Sequence, residues 1–374
     1  MHFSSVIYSW STQTFLLYLV VIFSCYLSTI LFKKYVLSIN TNYKTKFPIG
    51  LLISGTILIF VKGFSTTGRD LRAGYYINFL SATSLKEFYD WTIEIGYRIL
   101  NVLIRNITQH YSFFIFLIAF LTILPIIYVI NKFQNIIDVP SAILLYTCIF
   151  FFSGFSPLRN YLASSIALLG FEALVRKKFL KALIYLIIAM TFHFSMVFLL
   201  VPYFFVAFKK SNNKFITICL SSFFSFFYFG RNIITTILSM TERYYIYGAM
   251  DSVHIGLEQI VYYSPLFVVY FLTKKYDINR TFSKASFSYL ATGFCYGMVG
   301  YIIPIFGRVQ AIFLPIIIIV PYYIKLFNTR YPQYKWFINI LVLLYCIARF
   351  VIYITQYYIL EDLMPYTTFL GIII

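Results

Sequence analysis

Arg159 is the residue whose type and position best suit chemistry. It lies in the stretch from Gly154 to Tyr161, directly before an apolar segment. A charged side chain at such a place is costly unless it is paired or hydrated. A guanidinium binds phosphate or carboxylate oxygens two at a time and keeps its charge when desolvated. We therefore expect Arg159 to clamp a phosphate, with an ion pair to an outer carboxylate as the alternative.

His193 is the second candidate, because it follows Thr191 and Phe192 in the middle of the apolar stretch 179–208. Basic clusters flank that stretch on both sides and predict a hairpin of two short helices that turns here. Irregular backbone at membrane depth is tolerated only inside protein or beside a water-filled cavity. Histidine titrates near neutral pH, so His193 is expected to carry a proton or donate a hydrogen bond. A structural or interfacial role is the alternative.

Further charged candidates lie between the apolar stretches. Arg69 and Asp70 open one polar segment and either pair with each other or act separately. Asp70 or Glu94 is a candidate general base toward a sugar hydroxyl, and the sequence does not distinguish between the two carboxylates. Arg308 lies between two apolar stretches that are joined by almost no loop. It is a candidate anion ligand, and an interfacial anchor is the alternative.

Several catalytic signatures are absent from the sequence. It contains no D-x-D motif for a metal and a sugar nucleotide, no H-E-x-x-H, no Walker A motif and no G-x-S-x-G. An enzyme driven by a cytoplasmic nucleotide is therefore not expected, and we predict no metal and no cofactor. The five cysteines all lie within apolar stretches and lack metal-ligand spacing, so we interpret them as buried apolar residues.

The composition places these residues in a membrane protein. Of the 374 residues, 61% are hydrophobic and 11% are charged, whereas a soluble domain is roughly one half apolar and one quarter charged. So much apolar surface cannot be hidden in a soluble domain, so lipid must be part of the solvent. The net charge of +18 would suggest nucleic acid in a soluble protein. Here an excess of basic residues on cytoplasmic loops explains it, and no nucleic-acid partner is expected.

The apolar stretches predict an all-α, polytopic integral membrane protein with about 12 crossings, two of them short. The predicted spans are 13–32, 47–62, 111–130, 139–154, 158–175, 179–192, 194–208, 215–230, 259–273, 285–303, 309–325 and 336–354. The first span has Lys33 and Lys34 after it and no Lys or Arg before it, which predicts an outer N-terminus and no cleavable signal peptide. Both termini then lie outside, and 1–374 forms a single integral membrane domain.

The predicted topology separates lysine from arginine. Sixteen of the nineteen basic residues on the inner side are lysines, whereas nine of the eleven on the outer side are arginines. Topology requires positive charge inside but does not require arginine over lysine outside. Since arginine is the better ligand for phosphate oxygens, the outer face is predicted to hold an anion; arginines anchored at helix ends are the alternative.

Two long outer segments are predicted. In the first, 63–110, Ser84 and Glu87 form an S-x-x-E capping box that should open a helix. Apolar residues follow at spacings of three and four, so we expect an amphipathic helix lying on the outer leaflet. The second outer segment, 231–258, adds two candidate anion ligands: Arg231 and Arg243.

Several short pieces of the chain resemble, in order and spacing, the EpsG branch of Wzy-type polysaccharide polymerases. The pieces cover most of the chain: Gly68-Arg69-Asp70 with Tyr75-Tyr76, Glu94-Ile95-Gly96-Tyr97, Arg159-Asn160-Tyr161-Leu162-Ala163, a basic patch at 176–181, Thr191-Phe192-His193-Phe194-Ser195, Gly307-Arg308 and Met364-Pro365-Tyr366. Arg159 with the downstream His193 is the most specific part. The sequence departs from the family at Asp70-Leu71-Arg72, where a tyrosine is expected soon after the aspartate.

The resemblance implies a membrane glycosyltransferase of GT-C-like architecture in the bacterial cytoplasmic (inner) membrane. A hydroxyl of one undecaprenyl-pyrophosphate-linked oligosaccharide would attack the anomeric carbon of another at the outer face, and polyprenyl pyrophosphate would leave. The implied catalytic residues are Arg159, His193, Asp70 and Glu94. The candidate substrate-binding residues are Arg69, Arg308, Tyr161 and Tyr75 from the matching pieces, together with Arg231 and Arg243 from the outer arginines. A chain-length regulator and a flippase of the same pathway are the expected protein partners.

Three other functions stay open on the sequence. A lipid-linked oligosaccharide flippase needs charged residues along a cavity through the bilayer, whereas the predicted charge lies at the outer edge. An O-antigen ligase, or another polyprenyl-phosphate glycosyltransferase, would use the same site with a different acceptor. A membrane acyltransferase also uses a histidine.

Overall fold

The computed structural model describes residues 8–33, 35–38, 46–88, 93–208, 212–240, 257–277, 279–303 and 311–374. The described helices, in chain order, are α1 (Thr12–Leu31), α2 (Ile49–Gly63), α3 (π-helical Leu71–Tyr75 running into Tyr76–Ser81), α4 (Ile95–Ile107), α5 (Tyr111–Phe133), α6 (Val139–Leu145, continued by π-helical Tyr146–Phe151 and 3₁₀ Phe152–Gly154), α7 (Leu158–Val175), α8 (Phe179–Phe192), α9 (Leu200–Ala207), α10 (Asn213–Phe229), α11 (Arg231–Ser239), α12 (Leu257–Thr273), α13 (Arg280–Gly300), α14 (Ile316–Arg330) and α15 (Lys335–Tyr357). Short 3₁₀ turns at Phe194–Leu199, Lys274–Tyr276 and Pro332–Tyr334 connect some of them.

Each predicted span overlaps a helix of the structure. Four described helices are long and apolar enough to cross a membrane: Thr12–Leu31, Tyr111–Phe133, Ala311–Arg330 and Pro332–Tyr357. Shorter apolar helices accompany them: Ile49–Gly63, Val139–Gly154, Phe179–Phe192 and Phe194–Ala207. The architecture is therefore that of an all-α integral membrane protein.

α1 and α2 form a closely packed antiparallel pair joined by a two-stranded ribbon. The strands are β1 (Val36–Ser38) and β2 (Lys46–Pro48), and Ser38 pairs with Lys46. A Cβ on Gly50 would lie 2.2 Å from the Ser28 carbonyl oxygen, so only glycine allows this approach. The hydroxyls of Ser28 and Ser54 are 2.8 Å apart between the helices. Small residues therefore replace bulky side chains along this contact, as is common in membrane bundles.

The hairpin predicted within 179–208 is present. α8 ends at Phe192, and His193 has an extended backbone with φ −154° and ψ 117°. The chain then turns through the 3₁₀ segment into α9. The Tyr203 hydroxyl donates to the Phe179 carbonyl oxygen at 3.0 Å, so the far ends of the two arms lie side by side. The helix break predicted at His193 is thus confirmed.

The prediction that a helix begins at Ser84 is wrong. Residues 82–88 form turns and bends, and the described helix begins only at Ile95. The Glu87 N–H donates to Ser84 Oγ at 3.3 Å, which is one half of a capping box. The other half is missing because the Glu87 carboxylate accepts from the Thr83 hydroxyl instead. A local side-chain turn therefore replaces the predicted helical turn.

α4 is nevertheless amphipathic. Its buried face carries Tyr97, Asn101 and Ile104. Exposed apolar side chains recur every four residues on another face: Ile95, Ile99, Leu103 and Ile107. A continuous apolar stripe of this kind suits contact with lipid. Of the second predicted outer segment, the structure describes α11 and the residues after 256, and residues 241–256 lie outside the described part.

The two ends of the bundle differ in their cations. At one end α2 stops and α5 and α7 start, and the Tyr111 hydroxyl donates to the Leu71 carbonyl oxygen at 2.7 Å. We name it the arginine end, after Arg69, Arg72 and Arg159. At the other end α1 and α14 stop and α2, α6 and α15 start. We name it the lysine end, after Lys33, Lys325 and Lys335, which line one cavity there.

Candidate functional site

Arg159, the second residue of α7, forms an ion pair with Glu94 at the arginine end. Its Nη1 donates to Glu94 Oε2 at 2.6 Å, and the two side chains are 21% and 10% exposed. Arg159 therefore has the carboxylate partner that the sequence offered as an alternative to an anion. Its Nε–H is buried and has no hydrogen-bond partner among the described residues. The ion pair thus holds the guanidinium at Nη1, Tyr75 is a further partner, and the Nε–H donor is left without an acceptor.

Glu94 connects α7 to the tip of the α8–α9 hairpin. While Oε2 accepts from Arg159, Oε1 accepts from the Phe194 backbone N–H at 3.0 Å. Both carboxylate oxygens are therefore engaged, one of them by a cation. This geometry favours an anchoring role for Glu94 over the general-base role considered from the sequence.

Gly96 allows α4 to approach the same hairpin tip. A Cβ at this position would lie 2.4 Å from Thr191 Oγ1 and 2.8 Å from the Thr191 carbonyl oxygen. Real Cβ atoms do not approach other atoms so closely, so any larger residue must push the helix away. Gly96 thereby keeps Glu94 within reach of Arg159 and Phe194.

His193 stands at this tip and caps the 3₁₀ turn that follows it. The Ser195 N–H donates to His193 Nδ1 at 3.3 Å, and Ser195 Oγ lies 2.8 Å from the same nitrogen. Because Nδ1 accepts, the neutral imidazole carries its proton on Nε2. His193 is therefore set up as a hydrogen-bond donor through Nε2, and it is only half-buried.

Two tyrosines form a wall beside Arg159. The guanidinium carbon lies 5.9 Å from the ring centroid of Tyr75 and 5.6 Å from that of Tyr97. Both rings are nearly or fully buried. Burial raises the pKa of each phenol, and the charge on Arg159 offsets the rise only in part. Both phenols therefore stay neutral at physiological pH, and their aromatic rings interact with the guanidinium cation.

Tyr97 is a site residue that the sequence did not single out beyond its place in the family motif. Its hydroxyl is buried without a hydrogen-bond partner among the described residues. Two unpaired buried groups in one site, this hydroxyl and the Arg159 Nε–H, are unusual, because buried polar groups are generally paired. The spacing of Tyr97 on α4 gave no signal of this, since it follows the apolar period of the buried face.

The segment Gly68-Arg69-Asp70 lies against the turn that precedes α7. Gly68 has φ +120°, and a Cβ there would lie 2.6 Å from the Phe155 carbonyl oxygen. The Asp70 N–H donates to Ser156 Oγ at 3.3 Å. Arg69 and Asp70 are both exposed, and no ion pair joins them in the described residues. Their predicted mutual pairing is therefore not the arrangement found.

The C-terminal segment 361–374 holds this loop in place, which the sequence did not predict. The Gly68 N–H donates to the Asp362 carbonyl oxygen and the Arg69 N–H to that of Glu361, each at 3.1 Å. The Thr66 N–H donates to the Thr367 carbonyl oxygen at 2.7 Å. The only sequence signal was the family piece Met364-Pro365-Tyr366, which carried no indication of its partner.

Arg72, a residue that the sequence did not assign, ties its side chain to the same segment. Its Nε donates to the Thr66 carbonyl oxygen at 3.3 Å and its Nη2 to Thr367 Oγ1 at 3.1 Å. Burial raises the pKa of the neighbouring Asp362 carboxyl, and the charges of Arg72 and Arg69 offset the rise only in part. The arginine end therefore contains a second group of charges next to the Arg159 group.

Tyr161, a predicted substrate ligand, is packed inside the protein. It is 6% exposed and its hydroxyl bonds to Ser153 Oγ. Lys62, which is 3% exposed, places its ammonium 5.6 Å from the centroid of the Tyr161 ring. The ring therefore contacts a buried lysine rather than an open surface.

The remaining predicted ligands are dispersed or outside the described residues. Arg231 begins α11 and is half-buried. Arg243 and Arg308 lie in 241–256 and 304–310, which the structure does not describe. Within the described residues no group of three or more His, Cys, Asp or Glu side chains is arranged to hold a metal ion. The structure thus brings together Arg159, Glu94, Tyr75 and the His193 tip, with Arg69 and Asp70 on the adjoining loop.

Comparison with known proteins gives a match to a protein family. The model of the EpsG family matches residues 49–368, which include all the contacts described between Gly68 and Thr367. Neither the search of curated proteins nor the search of solved structures returned a match. The matched region covers most of the chain, so this protein belongs to the EpsG family, the exopolysaccharide or Wzy-type polymerase family, and is accordingly a glycosyltransferase-like enzyme of exopolysaccharide biosynthesis.

Proposed function

We propose that the protein joins polyprenyl-pyrophosphate-linked oligosaccharide repeat units at the outer face of the bacterial cytoplasmic membrane. The observation that carries this proposal is the partly buried Arg159, held at Nη1 by Glu94 while its buried Nε–H lacks a partner in the described residues. A fixed guanidinium with a donor to spare suits the pyrophosphate of a departing lipid carrier. The family membership supports polymer synthesis in general, and the lipid-linked substrate is our inference from this site.

The proposed topology has twelve crossings, with both termini and the arginine end outside, in a GT-C-like arrangement. The helices found at all the predicted spans support it. So does the group of Lys33, Lys325 and Lys335 at the end opposite Arg159, since basic residues in excess mark cytoplasmic loops. Reporter fusions after residues 178 and 212 should both be cytoplasmic; opposite sides would contradict the hairpin topology.

In the proposed reaction a hydroxyl of the acceptor unit attacks the anomeric carbon of the donor unit. The bond from that carbon to the pyrophosphate oxygen breaks, and the polyprenyl pyrophosphate leaves with the bonding electrons. Arg159 stabilises the charge that develops on the leaving group. The proton of the attacking hydroxyl passes to a base. Asp70 is a better candidate for that base than Glu94, because it is exposed and Glu94 uses both oxygens in the fold.

His193 is proposed as a hydrogen-bond donor to the pyrophosphate through Nε2–H. Its Nδ1 accepts from Ser195, which fixes the tautomer that makes Nε2 the donor. The lipid bilayer and an undecaprenyl-pyrophosphate-linked oligosaccharide are the proposed non-protein partners. A chain-length regulator and the flippase of the same pathway are the proposed protein partners.

The decisive experiment substitutes Arg159 in cells that depend on this gene for polymer. Arg159→Lys keeps the charge but loses the planar fork, and Arg159→Ala loses both. We expect both variants to abolish long polymer and to accumulate single repeat units on lipid at the outer leaflet. Arg105→Lys, the same change at a half-exposed residue of α4, is the matched control and should make normal polymer.

Each alternative outcome is informative. Normal polymer from Arg159→Ala, at normal protein level, would overturn the proposal. Repeat units retained on the inner leaflet would indicate a flippase. Normal polymer that fails to reach its final acceptor would indicate a ligase.

A second experiment separates the two possible roles of His193. His193→Gln keeps a donor of similar reach but does not titrate in the working range. If His193 is a hydrogen-bond donor, the Gln variant should keep much of the polymerase activity and the Ala variant should lose it. If His193 is a proton carrier, both variants should lose activity by roughly 100-fold or more. Normal activity in His193→Ala would remove this residue from the mechanism.

A further inference from the structure

A cavity of about 350 Å³ opens at the lysine end of the bundle. It lies between the ends of α1, α5 and α14 and the starts of α2, α6 and α15. Its charged lining consists of three lysines and one carboxylate: Lys33, Lys325, Lys335 and Asp138. Amide and hydroxyl side chains complete the polar lining: Thr29, Gln134, Asn135, Asn328 and Thr329. Its lining therefore has a net positive charge and many hydrogen-bonding groups.

The single carboxylate is committed to the fold. Asp138 caps the N-terminus of α6, where one oxygen accepts from the Ser141 N–H at 3.1 Å and from the Ser141 hydroxyl at 2.6 Å. In the part of the chain that the structure describes, neither Lys33 nor Lys335 forms an ion pair. Lys325 donates to the Asn135 carbonyl oxygen at 2.7 Å, a neutral partner. Asp138 therefore offsets only part of the positive charge of the three lysines, and the cavity keeps a net positive charge.

Asn328 supplies an independent indication of a missing partner. One end of its amide donates to Asn339 Oδ1 at 3.1 Å, and its other end, Oδ1, is buried without a hydrogen-bond partner among the described residues. A buried amide oxygen without a donor is costly. A ligand that brings both a phosphate and a hydroxyl would satisfy the lysines and this oxygen together.

The outer surfaces of the flanking helices are apolar. On α1 and at the start of α15, large apolar side chains near the cavity are exposed: Leu27, Ile30, Leu31, Trp336, Phe337 and Leu341. In a membrane such side chains contact acyl chains, and a tryptophan at a helix end suits the headgroup region. The cavity thus adjoins a surface for hydrocarbon, which favours a ligand with both a charged head and acyl chains.

We propose that this cavity binds the phosphodiester headgroup of an anionic phospholipid, with Lys33, Lys325 and Lys335 around the phosphate. A headgroup that carries a hydroxyl, as in phosphatidylglycerol, would also donate to Asn328. Basic pockets between membrane helices on the cytoplasmic side bind anionic headgroups in this way. The site lies at the opposite end of the bundle from Arg159, so it is independent of the proposed polymerase chemistry.

The test measures lipid retention by the purified full-length protein with native mass spectrometry. The variant Lys33→Gln with Lys335→Gln removes the two lysines that are exposed and have no carboxylate partner, so the fold should be preserved. The matched control, Lys178→Gln with Lys181→Gln, removes two exposed lysines elsewhere on the same predicted side. Long-chain phosphatidylglycerol should bind the cavity variant about 30-fold more weakly, since each of the two lysines near an anionic headgroup contributes about 1 kcal/mol. The control variant should lose less than about 2-fold in affinity for this lipid, because its lysines do not line the cavity.

Additional measurements with other ligands decide the inference. Phosphatidylcholine should bind wild type and both variants equally, because it carries no net charge. Glycerol phosphate and inorganic phosphate should not stabilise the protein at the concentrations at which phosphatidylglycerol does. If inorganic phosphate stabilises wild type but not the cavity variant, the ligand is a soluble phosphate and the lipid assignment is overturned. Equal losses in the cavity and control variants, or no loss in either, would overturn the site altogether.

Discussion

At the arginine end, Arg159 donates to a carboxylate at 2.6 Å and lies against two buried tyrosines. At the lysine end, Lys33 and Lys335 are exposed and form no ion pair within the described residues. Both ends are basic, but Arg159 is fixed in direction by a carboxylate and two aromatic rings, whereas Lys33 and Lys335 are not. Fixed geometry suits the recognition of charge that develops at one atom during a reaction, whereas mobile ammonium groups suit a diffuse negative charge.

The two ends also differ in how their backbone is held. The loop from Ser65 to Arg69 pairs with residues from the far end of the chain, through main-chain bonds to Glu361, Asp362 and Thr367. At the lysine end the strand ribbon joins α1 and α2, which are neighbours in sequence, and the Asp138 N–H donates to the Pro321 carbonyl oxygen at 3.1 Å. In the described residues, main-chain bonds between remote segments are more numerous at the arginine end. The arginine end is therefore built from parts that are remote in sequence, and substitutions there should affect several elements at once.

The largest effect is expected from Glu94→Ala, because it removes both contacts of the anchor. The partly buried Arg159 would lose its counterion and the Phe194 N–H its acceptor. Removing one partner of a buried ion pair costs roughly 3 kcal/mol. We expect a lower unfolding temperature together with loss of long polymer. Glu94→Gln keeps an acceptor oxygen, so its unfolding temperature should lie between those of the Ala variant and wild type. Equal stability of all three proteins would contradict the anchoring role.

Gly96→Ala should have the next largest effect. Its Cβ would lie 2.4 Å from Thr191 Oγ1, so α4 must move from the hairpin tip at a cost of about 1–3 kcal/mol. Gly74→Ala is the matched control, because no atom lies within 4 Å of the Cβ position at Gly74. Thermal unfolding and polymer length should both change in the first variant and neither in the second. Normal behaviour of Gly96→Ala would show that the contact between α4 and the hairpin tip is not needed.

A smaller effect is expected from Thr367→Val, which is nearly isosteric. The lost hydroxyl accepts from Arg72 Nη2 at 3.1 Å and from the Thr66 hydroxyl at 2.7 Å. Leaving these buried donors without an acceptor should cost about 1–2 kcal/mol. The control Thr368→Val changes a neighbouring, more exposed hydroxyl, whose bonds to the Ile372 main chain can be replaced by water, and it should cost less. An equal shift of the chemical unfolding midpoint in both variants would argue against a specific role for Thr367.

The smallest effect is expected from Asp362→Asn, and it should depend on pH. The carboxyl pKa is raised above 3.8 by burial, so the protonated form is favoured by folding. Its contribution to stability is therefore complete below pH 3.8 and is lost as the pH rises through the raised pKa. The Asn variant should not show this loss, and asparagine tolerates the positive φ of +50° at this position. Unfolding temperatures measured across the acid range would test this, and parallel curves would contradict it.

The sequence was sufficient for the helices but not for the contacts that build the site. Long apolar stretches and flanking basic clusters predict the spans and the break at His193, because these signals are local and strong. The predicted helix start at Ser84 was wrong, because the hydrogen bond from the Glu87 N–H to Ser84 Oγ forms in a turn as well as in a capping box. The Arg159–Glu94 pair joins residues 65 positions apart, and nothing in the sequence identified which of several outer carboxylates would be the partner.

The pairing of the C-terminal segment with the Ser65–Arg69 loop has a consequence for biosynthesis. The Thr367 N–H donates to Thr67 Oγ1 across 300 residues, so the loop has no such partner while most of the chain is still being made. At roughly 5–20 residues per second, that interval lasts roughly 15–60 s. The loop that carries Arg69 and Asp70 can adopt its final conformation only after the last helices have entered the membrane. Assembly of the arginine end is thereby tied to the synthesis of residues 361–374, and a nascent chain that stalls before them should remain inactive.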